Sequence, residues 1–399
     1  MDDYKWESVV FHSCAFIASV FLLQTGAALF TNNIAIIARR CGIPETLIAL
    51  LTAGAEWEEV PLPEAPDLAV VVASIAQHQP SLGLGNVIGS SISNVMGAFA
   101  LGLLSNPDPI TFGPSATIYS GALFAVSSIF ILLAFTQQLN LTGGIFFIVG
   151  FGVYVVSICS AIYDGILDPD PDVIAVEDAE ASRMAISPTP STDHHQLHVS
   201  IYPSVLQCHP TEVSPLLPAV LESSSPPSPP RPRRKRDHVL LVVIGLVALC
   251  IAACSLVHTA CSLAGEIQVS KILIGLTLVS ISTTIPEKAM SLISDWHRNT
   301  ASMTATTAGS NIFLLTLCAG ILLVSWTQGD ADSGGKRPGP GDRNVLLTDQ
   351  LVAFEVWCVW GCSVLLILIT WIGARRWLGA LMFGFYISFL MIELTLFKR

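Results

Sequence analysis

A row of polar side chains interrupts an apolar run that is long enough to cross a bilayer. Residues 282–291 read STTIPEKAMS and lie inside the run from Val269 to Ile293. Five side chains recur there at the spacing of one helical face: Ser280, Thr284, Glu287, Ser291 and Ser294. A charge in mid-membrane costs about 2.5–3.5 kcal/mol on insertion scales, so it is kept where it faces a partner or a water-filled cavity. Carboxylate and hydroxyl oxygens bind hard cations, and the pattern therefore predicts a cation site.

Two stretches of the chain repeat each other at an offset of 220 residues. GNVIGSSISNVMGAFALGLL (85–104) matches ATTAGSNIFLLTLCAGILLV (305–324), with Gly89 aligned to Gly309 (309 − 89 = 220). Asn86, Ser90 and Ser93 form a polar stripe in the first copy, with Ser91 beside them. Ser310 and Asn311 hold the corresponding place in the second copy. Five predicted crossings separate the copies, so they traverse the membrane in opposite directions, which is typical of secondary transporters.

The repeat also predicts a second acid that complements Glu287, and two positions compete for it. The gapless match places Asp67 at the equivalent position (287 − 220 = 67), preceded by a proline in both copies. Glu59 fits the surrounding apolar pattern better, in which case residues 60–67 are an insertion of eight residues. Glu59 is the preferred assignment, Asp67 the alternative, and Glu56 a further candidate. Calcium takes about six to eight oxygen ligands, and a second carboxylate brings the site toward charge balance.

The composition is that of an all-α membrane protein. Hydrophobic residues make up 52% and charged residues 12% of 399, and the mean hydropathy is +0.64. About ten apolar segments are long enough to be transmembrane helices, as two inverted five-helix repeats. They lie near Val9–Phe30, Pro44–Gln77, Leu84–Leu104, Ser115–Phe135, Leu141–Tyr163, His238–His258, Val269–Ile293, Met303–Ser325, Asp349–Gly373 and Arg376–Phe397.

A long polar stretch divides the chain into two halves. We predict a first half at 1–163, with its repeat at about 44–104, and a second half at 238–399, with its repeat at about 269–325. Residues 164–237 are rich in Pro, Ser and charge and poor in aromatics, which predicts a disordered linker. Lys and Arg near helix ends are more numerous on the linker's side, so the linker is predicted to be cytoplasmic. The membrane itself, plasma or intracellular, is left open.

The sequence weighs against an enzyme and against a nucleic-acid partner. The net charge of −11 comes mostly from loop residues. An intramembrane aspartyl protease would need Asp164 and Asp342 to meet inside the membrane, but Asp342 lies in the hydrophilic loop SGGKRPGPGDRN. The expected partners are the lipid bilayer and the transported ions, with an unidentified regulator of the linker. No cofactor is expected beyond transported Ca²⁺ and its counter-ion, Na⁺ or H⁺.

The two repeats resemble the alpha-repeats of the cation/calcium exchanger superfamily, the sodium/calcium exchanger membrane region. The residues TTIPE (283–287) and GSNIF (309–313) are similar to the family's two motifs and occur in the same order. The resemblance implies antiport of calcium against sodium or protons by alternating access. It also implies a set of cation ligands: Glu59, Asn86, Ser90, Thr283, Thr284, Glu287, Ser310 and Asn311.

This chain departs from the family pattern in two places. AEWEE (55–59) replaces two hydroxyls and a proline of the first motif, and the insertion that follows carries Pro61, Pro63 and Pro66, which forbid a regular helix there. Lys288 directly follows the second acid; if it points into the site, it replaces one bound cation. These departures support an alternative function, a transport-impaired scaffold or regulator with the same fold.

Overall fold

The described part of the chain is helical. The structure, a computed structural model, describes residues 2–40, 64–106, 109–163, 235–285, 288, 300–332 and 353–396. Within them, the only β pairing is a bridge between Ile110 and Ala374. The first half contains α1 (Asp2–Arg40), α2 (Ala65–Ala76), α3 (Pro80–Ile92), α4 (Ala100–Ser105), α5 (Pro114–Phe135) and α6 (Leu141–Tyr163). The second half contains α7 (Lys235–Glu266), α8 (Lys271–Ile274), α9 (Ser280–Thr283), α10 (Thr300–Phe313), α11 (Ala319–Asp332), α12 (Ala353–Ile372) and α13 (Arg376–Leu396).

The helices confirm the predicted class, a multi-pass all-α membrane protein. Among the described residues, eight helical segments are long and apolar enough to span a bilayer. Two shorter apolar helices, Ala65–Ala76 and Lys271–Thr283, accompany them. These eight long and two shorter helices are consistent with the ten predicted transmembrane segments, and the number of segments stays a prediction. Many large apolar side chains are exposed on the outer helices, as expected of surfaces that face lipid.

Three segments of π-helix interrupt the apolar helices. They are π1 (Ser93–Phe99) between α3 and α4, π2 (Gly275–Val279) between α8 and α9, and π3 (Leu314–Cys318) between α10 and α11. Short π segments inside α-helices recur at functional sites, because the extra residue per turn redirects neighbouring side chains. The two long interrupted helices, which contain π1 and π3, are the most deeply buried of the eight spans. The centre of the fold is therefore built from these two.

The same two helices preserve the offset found in the sequence. Helix α10 begins at Thr300 and α3 at Pro80 (300 − 80 = 220). Shifted by the same number, π3 corresponds to residues 94–98, which lie within π1. The match of helix starts and π segments gives the sequence repeat a structural counterpart.

The backbones of the two halves touch where α3 crosses α8 and π2. A Cβ atom at Gly85 would lie 2.2 Å from the carbonyl oxygen of Ile272, and one at Gly275 would lie 2.2 Å from that of Leu82. No side chain fits into such gaps, so glycine is required at both positions. Small residues allow this close approach between helices in a membrane, and it aligns the polar face of α3 with α9.

Both halves belong to one compact unit, Met1–Asp170 with Arg234–Arg399. The long outer helices α1 and α7 pack along each other, and α13 lies against α4 and π1. The predicted boundaries of the halves and of the linker stay predictions, because residues 164–234 lie outside the described part of the chain.

Candidate cation site

Asp67 is the centre of a buried polar cluster. It lies in the first turn of α2 and is 1% exposed. Its Oδ1 accepts hydrogen bonds from Asn86 Nδ2 (2.7 Å) and from the Ser90 hydroxyl (3.0 Å), both on α3. Pro66 is tolerated beside it because backbone N–H groups in the first turn of a helix have no intrahelical acceptor, so the N–H that proline lacks is not missed. The expectation that prolines forbid a helix in residues 60–67 is therefore wrong for its last three residues, which begin α2.

The second half contributes Thr283 to the same cluster. The hydroxyls of Thr283 and Ser90 lie 3.3 Å apart, and the Thr283 hydroxyl donates to Asn86 Oδ1 at 3.4 Å. The Thr283 side chain also interacts with the Asp67 carboxylate. A carboxylate from one repeat and a hydroxyl from the other thus converge on one point, at the crossing that the glycines allow.

Glu64 adds a second acid that the sequence reasoning did not identify. It precedes α2 by one residue and is 3% exposed. Its carboxylate interacts with that of Asp67 and with the Ser310 hydroxyl on α10. Ser310 in turn accepts a hydrogen bond from Asn94 Nδ2 at 3.0 Å. Because Glu64 lies one helical turn from Asp67, the spacing in EAPD was the signal that could have found it.

Several side-chain oxygens of Glu64, α3, π1 and α10 are buried and have no hydrogen-bond partner among the described residues. They are Glu64 Oε1, Ser91 Oγ, Asn94 Oδ1 and Asn311 Oδ1. Buried oxygens normally accept a hydrogen bond or bind an ion, because an unsatisfied one costs about 1–3 kcal/mol. Asn311 Nδ2 donates to the Thr307 carbonyl (2.7 Å), which orients the amide. This set of oxygens can accept a desolvated cation.

A second polar group lies beside the Asp67 cluster, around Ser93 at the start of π1. The Ser93 hydroxyl lies 3.0 Å from that of Thr284 and 2.9 Å from the hydroxyl of Tyr386 on α13. The Lys288 ammonium donates to Ser93 and to Thr284. Lys288 therefore points between the two halves, which the sequence had left open. Tyr386 comes from a distant helix, and no local pattern marked it.

Gln24 on α1 supports the end of α9. Its Nε2 donates to the carbonyls of Ser282 (3.3 Å) and Thr283 (3.4 Å). Ser282 and Thr283 are the last two residues of α9, and the final carbonyls of a helix have no intrahelical donor, so the glutamine supplies one. A glutamine in the apolar stretch VFLLQTGAALF was a signal for this role, although the sequence reasoning did not use it.

The structure brings together part of the predicted site. Asp67, Asn86, Ser90 and Thr283 form one cluster, Thr284 lies in the adjoining one, and Ser310 connects through Glu64. Four predicted residues lie outside the described residues: Glu56, Glu59, Glu287 and Ser291. The assignment of Glu59, Glu287 and the remaining ligands stays a prediction. Within the described ranges, no three His, Cys, Asp or Glu side chains are grouped to hold a metal.

Comparison with known proteins shows which family this chain matches. The model of the family described as "Sodium/calcium exchanger protein" matches residues 11–159 and 238–395. The protein described as "Putative antiporter CaxA" from Alkalimonas amylolytica is 25% identical over 259 residues, 64% of this chain. The chain spans 65% of the length of that relative.

Solved structures share the fold at low identity. The structure of native YfkE has a TM-score of 0.57 at 13% identity, with 98% of this chain and 93% of that chain covered. The sodium-calcium exchanger NCX_Mj, soaked with Na⁺ and Sr²⁺, has a TM-score of 0.50 at 17% identity, with 95% and 98% covered. At identities this low, the structural similarity shows a shared fold alone.

Proposed function

The chain belongs to the sodium/calcium exchanger protein family, and from this membership we propose that it is a secondary antiporter. It exchanges calcium against sodium or protons by alternating access, with no resident cofactor. The observation that carries the proposal is the Asp67 carboxylate, which is buried and is contacted by the Ser90 hydroxyl of the first repeat and the Thr283 hydroxyl of the second.

The donors in the cluster suit calcium. Calcium takes about six to eight oxygens, including carboxylates, and tolerates irregular geometry. Asp67 and Glu64 supply two acids, and Ser90, Ser310 and Asn311 supply neutral oxygens. Glu287 and the preferred candidate Glu59 are proposed as additional ligands. A buried acid is costly without a counter-charge, so the cluster is suited to hold a cation for much of the transport cycle.

Alternating access requires the two repeats to move relative to each other while both contact the ion. The contact between α3 and the α8–π2 segment is backbone against backbone at Gly85 and Gly275. We infer that the repeats shift relative to each other along this contact. The Ser90–Thr283 and Ser93–Thr284 pairs join the two halves beside this contact. A cation bound to these hydroxyls would therefore change the contacts between the halves directly.

The test is calcium uptake by the purified full chain in liposomes, with an opposing sodium or proton gradient. We expect uptake that depends on one of the gradients, and Asp67→Asn should abolish it, because the variant keeps the shape but loses the charge. Glu266→Gln is the matched control, since Glu266 accepts a hydrogen bond from Ser8 (2.7 Å) at the end of α7, away from the cluster.

Two outcomes would refute the proposal. The first is wild-type protein that is folded and carries no calcium under either gradient, which would favour the scaffold or regulator alternative. The second is Asp67→Asn protein that transports as well as the Glu266→Gln control. We also propose that the chain contacts the lipid bilayer and that a regulator binds its linker.

A further inference from the structure

We propose that the Lys288 ammonium is a built-in cation that permanently fills one monovalent-cation position of the transport site. The inference rests on the proposed antiport function and specifies its coupling. A chain that carries one charge on its own side chain needs one fewer mobile counter-ion for each calcium.

The contacts of Lys288 join both repeats. Its Nζ donates to Ser93 on π1 in the first half and to Thr284 in the second half. Both hydroxyl residues are fully buried. They also contact each other at 3.0 Å, so the ammonium lies at a point where the two halves already meet. Residues that only cover a surface do not bridge two buried hydroxyls in this way.

The surroundings have the chemistry of a monovalent-cation site. Neutral hydroxyl oxygens are weak donors that suit a single positive charge, whereas a divalent ion generally requires carboxylates. The Tyr386 ring lies under the ammonium, with Nζ 5.8 Å from the ring centroid. Aromatic faces attract cations at distances up to about 6 Å. The position would therefore attract a small monovalent ion if the lysine were absent.

The lysine is close to the calcium ligands. Its charge stabilises the Asp67 carboxylate across the site. Thr284 is adjacent to Thr283, and Ser93 is three residues from Ser90, so the ammonium lies about one helical turn from the Asp67 cluster. A positive charge at this position acts directly on the Asp67 carboxylate.

The fold has space for the stem of this side chain. A Cβ atom at Gly97 would lie 2.9 Å from Lys288 Cε and 3.7 Å from the Tyr386 ring. Glycine at this position of π1 leaves a passage through which the lysine reaches Ser93. An alanine there would displace the ammonium without removing its charge.

The experiment measures the charge moved for each calcium in liposomes that contain the full chain. The reversal potential of calcium flux is determined at fixed sodium and calcium gradients. We expect Lys288→Met to transport one additional monovalent cation per calcium, because sodium enters the vacated position. Lys288→Arg, which keeps a tethered charge, should retain the wild-type ratio. Lys271→Met is the matched control, since Lys271 is exposed and donates to Gln79 (2.7 Å).

An unchanged ratio in Lys288→Met would overturn the inference while leaving the antiport function intact. If the wild type carries no calcium, the proposed function fails, and sodium-dependent thermal stabilisation of the purified proteins still decides the inference. Lys288→Met should then gain a sodium-dependent rise in Tm that the wild type and Lys271→Met lack. If Lys288→Met does not fold, Lys288→Gln replaces it in both assays, with the same gain expected and the absence of that gain again contradicting the inference.

Discussion

Substitution of Gly85 by alanine tests whether the two repeats meet backbone to backbone. The new methyl group would lie 2.2 Å from the Ile272 carbonyl oxygen and 2.9 Å from the Leu276 nitrogen. Both atoms belong to the helical backbone and cannot rotate away. Ordinary van der Waals contact lies near 3.5 Å, so α3 must move away from π2 by roughly 1 Å.

The structure gives the size of the effect. Overpacking of a well-packed contact costs about 1–3 kcal/mol. Glycine to alanine in a helix without a clash contributes about 0.5–1 kcal/mol of stability. Gly121→Ala in α5 is the matched control, because a Cβ atom there has no neighbour within 4 Å. Both substitutions exchange glycine for alanine inside a helix, so this gain cancels, and the two variants should differ by the overpacking cost alone, about 1–3 kcal/mol.

The assay is the midpoint temperature at which detergent-purified protein loses its monodisperse peak in size-exclusion chromatography. Gly85→Ala should melt below the wild type, and Gly121→Ala at or above it. The same separation of helices would lengthen the 3.3 Å Ser90–Thr283 contact beyond hydrogen-bonding distance, so calcium uptake should fall as well. Equal melting temperatures for the two variants would show that the halves do not approach as described.

Two further predictions concern residues that the sequence reasoning missed. Gln24→Leu should lower Tm and calcium uptake, because the Ser282 carbonyl at the end of α9 loses its donor, at a cost of about 1–3 kcal/mol. Gln77→Leu, whose amide donates to a carbonyl at an exposed site, should change Tm less, and a larger effect there would contradict the assignment. Glu64→Gln should reduce the rise in Tm that calcium produces, without lowering Tm in the absence of calcium, because a buried oxygen that has no partner among the described residues contributes to binding and not to folding; an undiminished calcium-induced rise would remove Glu64 from the site.

The sequence predicted the features that depend on local spacing. The membrane class follows from composition, and the 220-residue offset reappears in the starts of α3 and α10. The stripe of Asn86 and Ser90 faces Asp67 because residues four apart on a helix share a face. These predictions required no knowledge of which helices pack together.

The missing features depend on contacts between distant segments or on departures from helical spacing. Gln24 and Tyr386 reach the site from α1 and α13, and nothing in their own neighbourhood specifies that contact. A π segment adds one residue per turn, which a search at the α-helical period does not detect. Both Gly97, which lies against the Lys288 stem, and Ser93, which accepts from its ammonium, belong to such a segment, π1.

The structure also gives a physical argument in the choice between Asp67 and Glu59. Helix α2 begins beside Pro66, and its N-terminal end favours an acid in the first turn through the helix dipole. From α3 onward the offset of 220 residues reappears in the structure, and extending it without a gap along the sequence pairs Asp67 with Glu287 and Pro66 with Pro286. We therefore propose Asp67 as a first-repeat ligand in its own right. A role for Glu59 would then add a carboxylate to this cluster, whereas unimpaired calcium uptake by Asp67→Asn would exclude Asp67 and leave Glu59 as the first-repeat acid.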